Sequence, residues 1–180
     1  MKEQKCIAVF FEGDRRLRPG LSEFLKPLRE LARKKEVKIE LLACDDKDNA
    51  IKTYSKDPRF KTKLLLIDSD GPPPTASTSG WYYMVEVMES WLLADWDRVA
   101  EYFHFIGTQA TKNKKIENVA KKDVFQILDD LAKPRGKGRD KYHKIDDGRA
   151  LLERVRLDEV RELNHCDRFC KAVEAAIEAS

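Results

Sequence analysis

The chain has 180 residues, about one domain's worth, and its 42% hydrophobic content is enough to fill a sizeable core. Lys and Arg number 35 against 32 Asp and Glu, so the net charge is only +3, yet charged residues make up 37% of the chain against about 25% in ordinary domains. That balance excludes a uniformly basic chromatin-type protein and an acidic disordered tail, and no apolar run approaches the ~20 residues that span a bilayer.

In chain order, residues 6–11 (CIAVFF) form a continuous apolar run, as expected of a strand covered on both faces. The run is too short for the apolar core of a signal peptide. The expected location is therefore cytoplasmic, with Cys6, Cys44, Cys166 and Cys170 as reduced thiols. Leu21, Phe24, Leu25, Leu28, Leu31 and Ala32 recur at helical spacing, and Pro27 predicts a kink or a new helix near it. Residues 37–43 read as a second strand, 45–57 as a polar helix stopped by Pro58, and 63–67 as a third strand. Strand and helix thus alternate through the first 70 residues, which implies right-handed crossovers and a parallel sheet. Residues 72–80 (PPPTASTSG) are a loop.

From Trp81 onward, Met84, Val85, Met88, Trp91 and Leu92 keep helical spacing, and Val99 and Phe103 extend the stripe. Asp95 falls on the apolar face, so it pairs with Arg98 or a neighbouring element, or the helix breaks there. Residues 107–115 are a polar linker, 119–131 a short helix, 133–144 a basic loop, and 148–155 and 167–179 two closing helices. The expected division is an α/β core over 1–106 and a mainly helical C-terminal extension over 107–180, packed on the same domain.

Parallel sheets bind ligands at the carboxyl ends of their strands. Glu12 ends the first strand, and Asp68 and Asp70 end the third, so all three belong to one rim. Asp68 and Asp70 are two apart and point the same way along an extended chain. Carboxylates crowded together raise one another's pKa values, and a divalent cation relieves the conflict. Mg²⁺ or Mn²⁺ suits such hard oxygen ligands. The competing reading of any one acid after a strand is a turn residue or helix cap, and for Asp14 and Asp45 that reading is preferred. On the helical stripe Glu89 lies about 95° from the centre and Glu86 about 155°, which makes Glu89 the better fourth ligand or general base.

No G-x-x-x-x-G-K-[ST] loop and no G-x-G-x-x-G loop is present. Glu12-Gly13 after the first strand with Asp68-x-Asp70 after the third resembles the Toprim domain, the metal-binding fold of topoisomerases, primases and overcoming-lysogenization-defect (OLD) nucleases. The stretch MVEVMESWLLAD (84–95), VAKKDV (119–124), Tyr142-His143-Lys144, Val160-Arg161 and CDRF (166–169) resemble one bacterial Toprim-like family of unknown function. Members of that family are often encoded beside an AAA/SMC-type ATPase. The resemblance implies a Toprim-like, Rossmann-like parallel sheet flanked by helices, and a role in phage defence. The chain departs from many Toprim sites where Ser69-Asp70-Gly71 runs directly into prolines.

Arg15 and Arg16 follow Glu12 directly, and Lys133, Arg135, Lys137, Arg139, Lys141 and Lys144 make the 133–144 loop basic. A phosphate backbone is the partner such runs beside an acidic site suggest. Lys144 would neutralise transition-state charge, with His143 and Tyr142 beside it for phosphate contact and for stacking or positioning. His165, Cys166 and Cys170 fall one ligand short of a structural zinc site and read as buried thiols on a helix. The expected function is a metal-dependent nuclease with Glu12, Asp68, Asp70 and Glu89 as ligands. The alternative is a non-catalytic partner or regulatory subunit of an AAA/SMC-type ATPase. The sequence leaves the oligomeric state and the choice of DNA, RNA or a small phosphoester open.

Overall fold

The computed structural model describes residues 5–74, 78–106, 113–133 and 141–180. Four strands, β1 (Lys5–Phe11), β2 (Val37–Ala43), β3 (Thr62–Asp68) and β4 (Trp81–Met84), form one sheet in the order β2-β1-β3-β4. All three pairings are parallel, with Phe11 opposite Ala43 and Leu66, and Asp68 opposite Met84. The carboxyl ends of all four strands therefore share one rim.

Between β1 and β2 the chain makes a 3-10 turn (Arg15–Leu17), α1 (Arg18–Phe24) and α2 (Lys26–Lys34). A new helix begins near Pro27, as its place in the apolar pattern predicts: the chain breaks at Leu25, and Pro27 stands in the first turn of α2, where a missing N–H does no harm. Helix α3 (Lys47–Lys56) links β2 to β3 and is capped by Asp46, which accepts from the Asn49 N–H at 2.8 Å.

The helix expected from Trp81 does not begin there. Residues 81–84 (WYYM) are the fourth strand, and the helix, α4 (Met88–Ala94), starts only after a turn at Glu86 with φ 60°. Three consecutive aromatics favour a pleated, half-buried position beside β3. The apolar residues at 81, 84, 85 and 88 fit helical spacing by coincidence. Asp95 ends α4, and α5 (Trp96–Phe103) follows. Asp95, only 2% exposed, pairs with Arg156 rather than Arg98, accepting from its N–H at 2.8 Å, its Nε at 3.0 Å and its guanidinium nitrogen at 2.8 Å.

The remaining elements are a 3-10 turn (Asn113–Asn118), α6 (Lys121–Ala132), α7 (Asp146–Leu152), α8 (Leu157–Val160) and α9 (Asn164–Glu178). They share one apolar cluster with Ile7, Val9 and Phe11 on one face of the sheet, with α9 against the strands and α6, α7 and α8 against α4. The alternate residues Ala8 and Phe10 face a small second cluster with Leu65, Ile67 and Ala50, covered by α3. Helix α1 meets α7 at Gly20, where a Cβ would lie 2.7 Å from the Arg149 carbonyl oxygen. Among the described residues no helix is long and apolar enough to cross a membrane.

Candidate functional site

Glu12 and Asp68 stand side by side at the ends of the paired strands β1 and β3. The Glu12 N–H donates to the Leu66 carbonyl at 3.0 Å, and the Asp68 N–H donates to Glu12 Oε2 at 3.0 Å. The Met88 N–H, at the start of α4, donates to Asp68 Oδ1 at 2.9 Å. Glu12 is half-buried and Asp68 is 4% exposed. One oxygen of each, Glu12 Oε1 and Asp68 Oδ2, accepts no hydrogen bond from the described residues.

Both acids resist ionisation. Burial raises Glu12, with the Asp70 charge adding to it and Lys47 and Lys144 opposing. Burial, then the charges of Glu12 and Glu89, push Asp68 up to about 8. The pair opens onto a pocket of about 200 Å³ lined by Asp45, Met88, Lys144 and Ile145 as well. Lys144 is exposed, and its Nζ lies 5.9 Å from the centre of the Phe125 ring.

The expected four-carboxylate set is not assembled. Among the described residues no three His, Cys, Asp or Glu side chains are grouped to hold a metal ion. The strand ends at Asp68, and Asp70 turns away with φ 54°, so the two aspartates do not point together. Asp70 is held instead by Lys121 at 2.7 Å and Lys47 at 3.3 Å. Glu89, 0% exposed, lies in the first turn of α4, where Oε1 accepts from the Tyr142 hydroxyl at 3.3 Å and Oε2 has no partner among the described residues. Burial raises its pKa, and Lys144 opposes the rise. The residues that fit a divalent ion are thus the Glu12–Asp68 pair, in keeping with Mg²⁺, which uses one or two carboxylates and completes its shell with water and phosphate.

The basic residues divide. Arg15 is exposed beside the rim, whereas Arg16 is engaged by the carboxylate of Asp14, at 3.0 Å from Nε and 2.9 Å from its terminal nitrogen. His143 is exposed, with Nδ1 3.7 Å from Asp146. Tyr142 is buried, its N–H donating to Asp129 at 2.9 Å, so its ring offers no stacking face to a base, while its bond to Glu89 makes it a positioning residue. Arg135, Lys137 and Arg139 lie outside the described residues. Sequence reasoning missed Lys47 and Lys121. Lys47 was discoverable, because it follows β2 and so belongs to the same rim. Lys121 lies in the VAKKDV stretch (119–124) that carries the family resemblance, and that is the signal that could have found it.

A family model described as a domain of unknown function (DUF4276) matches residues 14–174. No curated protein matches the sequence. Among solved structures, the C-terminal region of the Burkholderia pseudomallei OLD protein is similar, with a TM-score of 0.51 and 15% identity over 97% of this chain and 99% of that one. At that identity the likeness establishes the fold, an α/β Toprim-like arrangement of a parallel sheet between helices.

Proposed function

The chain belongs to the DUF4276 family, and from that premise we propose that it is a metal-dependent phosphodiesterase acting on nucleic acid, with Glu12 and Asp68 as the seat of a divalent ion. The observation that carries this reading is the pair itself. Two carboxylates with a free oxygen each meet at the carboxyl ends of adjacent parallel strands, at the wall of a pocket that Lys144 also lines. The Glu-Gly and Asp-x-Asp motifs, which resemble those of Toprim nucleases, and the fold shared with an OLD protein's C-terminal region support it.

Mg²⁺ or Mn²⁺ bound there supplies Lewis acidity and makes water a nucleophile near neutral pH. The chain does the positioning. The Met88 N–H fixes Asp68 Oδ1, and the Asp68 N–H fixes Glu12 Oε2, so both carboxylates present their other oxygen. Lys144, which lines the same pocket, meets the phosphate and offsets charge that grows on it during displacement. Tyr142 holds Glu89 behind the pair, and Arg15 adds positive charge at the edge. The role in phage defence and the AAA/SMC-type ATPase partner are part of this proposal, on the strength of the family resemblance.

The test is cleavage of supercoiled plasmid, single-stranded DNA and RNA in Mg²⁺ or Mn²⁺, with and without such an ATPase. The native chain is expected to cleave at least one of them. Glu12→Gln and Asp68→Asn each lose about a hundredfold or more, the scale of removing one electrostatic stabiliser. Cleavage that survives both substitutions overturns the reading. A chain that cleaves nothing yet binds the ATPase tightly is a regulatory subunit instead.

A further inference from the structure

Asp70 is the rim acid that the paired carboxylates do not use. It sits in the left-handed region with φ 54°, and two lysines from different elements converge on it, Lys47 at the start of α3 and Lys121 at the start of α6. Lys47 also donates to the Ser69 carbonyl at 3.2 Å. The turn before α4 is tied in as well, since the Asp70 N–H donates to the Glu86 carbonyl at 3.1 Å and Glu86 Oε2 accepts from the Lys121 N–H at 3.1 Å.

Stability alone does not account for this clamp. Its side chains are open to solvent, with Lys47 31%, Lys121 45% and Asp70 41% exposed. An ion pair this exposed contributes only about 0–1 kcal/mol. With Glu86, whose carboxylate accepts from the Lys121 N–H, two ammonium groups meet two carboxylates, so displacing Asp70 leaves one positive charge for an incoming anion. Beside the clamp, a Cβ at Gly71 would meet nothing within 4 Å, so the surface there is open. The clamp also faces the paired acids: the Lys47 charge eases ionisation of Glu12, and the charges of Asp68 and Glu12 help hold Lys121 protonated.

We propose that Lys47 and Lys121 form a second phosphate station, which takes the phosphodiester neighbouring the one held at Glu12 and Asp68, and that Asp70 occupies this station as a placeholder anion until a polynucleotide displaces it. The inference rests on the phosphodiesterase reading and narrows its substrate to a chain of phosphates rather than an isolated ester. A carboxylate is a suitable placeholder because its two oxygens meet the two ammonium groups separately, as two oxygens of a phosphate would. Once a divalent ion offsets Glu12 and Asp68, Lys47, Lys121 and Lys144 balance Asp70, Glu86 and Asp45, and displacing Asp70 leaves one positive charge, which a phosphodiester matches.

The test is binding rather than cleavage, so it can fail independently of the hydrolytic reading. A short fluorescein-labelled single-stranded DNA is titrated across a salt series with the Glu12→Gln/Asp68→Asn protein in EDTA, in which two neutral amides stand for the carboxylates that a divalent ion offsets, after thermal melting shows each variant folded. Lys47→Ala and Lys121→Ala are each expected to weaken binding about 3–10-fold and to flatten the dependence of log K on log salt by roughly 0.7. Lys171→Ala, far along α9 and paired with Asp167, binds as the parent does. Asp70→Asn tightens binding severalfold, because the competing anion is gone. A merely structural ion pair does not give that result. The proposal is overturned if the Lys47 and Lys121 variants bind like Lys171→Ala, if Asp70→Asn weakens binding, or if the DNA does not bind at all. Should the native chain fail to cleave while these affinities follow the expected pattern, hydrolysis falls and the clamp stands.

Discussion

Asp68 illustrates how a fold can hold a carboxylate against its own chemistry. An aspartate in an unfolded chain titrates near ~3.9, whereas burial and two acidic neighbours push this one to about 8. The folded value lies above the unfolded one, so the group's contribution to stability is complete below the unfolded value and is lost as pH rises toward 8. Metal-free native protein should therefore lose roughly 2 kcal/mol or more, relative to Asp68→Asn, between pH 5 and pH 8. Chemical denaturation of both proteins across that range measures it, and parallel pH profiles would contradict it. Glu12 and Asp68 were legible in the sequence because each ends an apolar run. Asp70 was misjudged because alternation holds only while the strand continues, and the strand stops at Asp68. Glu89 was misjudged for a related reason. Helical spacing from Trp81 puts it at the edge of the apolar stripe, whereas the helix starts at Met88 and buries Glu89 completely.

The elements that carry the site are joined by close contacts. Gly20 of α1 touches α7 so closely that a Cβ would stand 2.7 Å from the Arg149 carbonyl oxygen and 2.9 Å from Leu152 Cβ. Helix α7 begins directly after Lys144 and Ile145, two of the pocket's walls. Gly20→Val should therefore destabilise the fold by roughly 1–3 kcal/mol and slow cleavage by displacing Lys144. Thermal melting and the cleavage assay check both, and an unchanged melting temperature would show that α1 and α7 separate freely. The first three strands, the break at Pro27 and a break at Asp95 were readable from composition and spacing. The fourth strand was not, because WYYM satisfies both periods, and the decision is made by β3, which offers an edge to pair with. The Asp95–Arg156 pair joins residues far apart in the chain, beyond the reach of local patterning.

At the scale of the whole molecule the two faces of the sheet are unequal. Among the described residues one carries nearly all the helices, and the other has α3 alone, in which only Ala50 is fully buried. Backbone amides of α3 should exchange with deuterium well before those of β1, β3 and α9, since little burial resists local opening. Equal protection in α3 and α9 would show that the thin face is as firmly held as the thick one. The near-zero net charge of the chain is compatible with a charged site because opposite charges meet at the rim, with Glu12, Asp68 and Asp70 set among Lys47, Lys121 and Lys144. The central claim is that Glu12 and Asp68 together, and not Asp70, seat a divalent ion. Mn²⁺ titration followed by electron paramagnetic resonance tests it without any substrate. The native protein and Asp70→Asn should bind Mn²⁺ alike, while Glu12→Gln and Asp68→Asn bind at least about tenfold more weakly. Undiminished binding by Glu12→Gln and Asp68→Asn, or a loss in Asp70→Asn as large as theirs, would contradict the account.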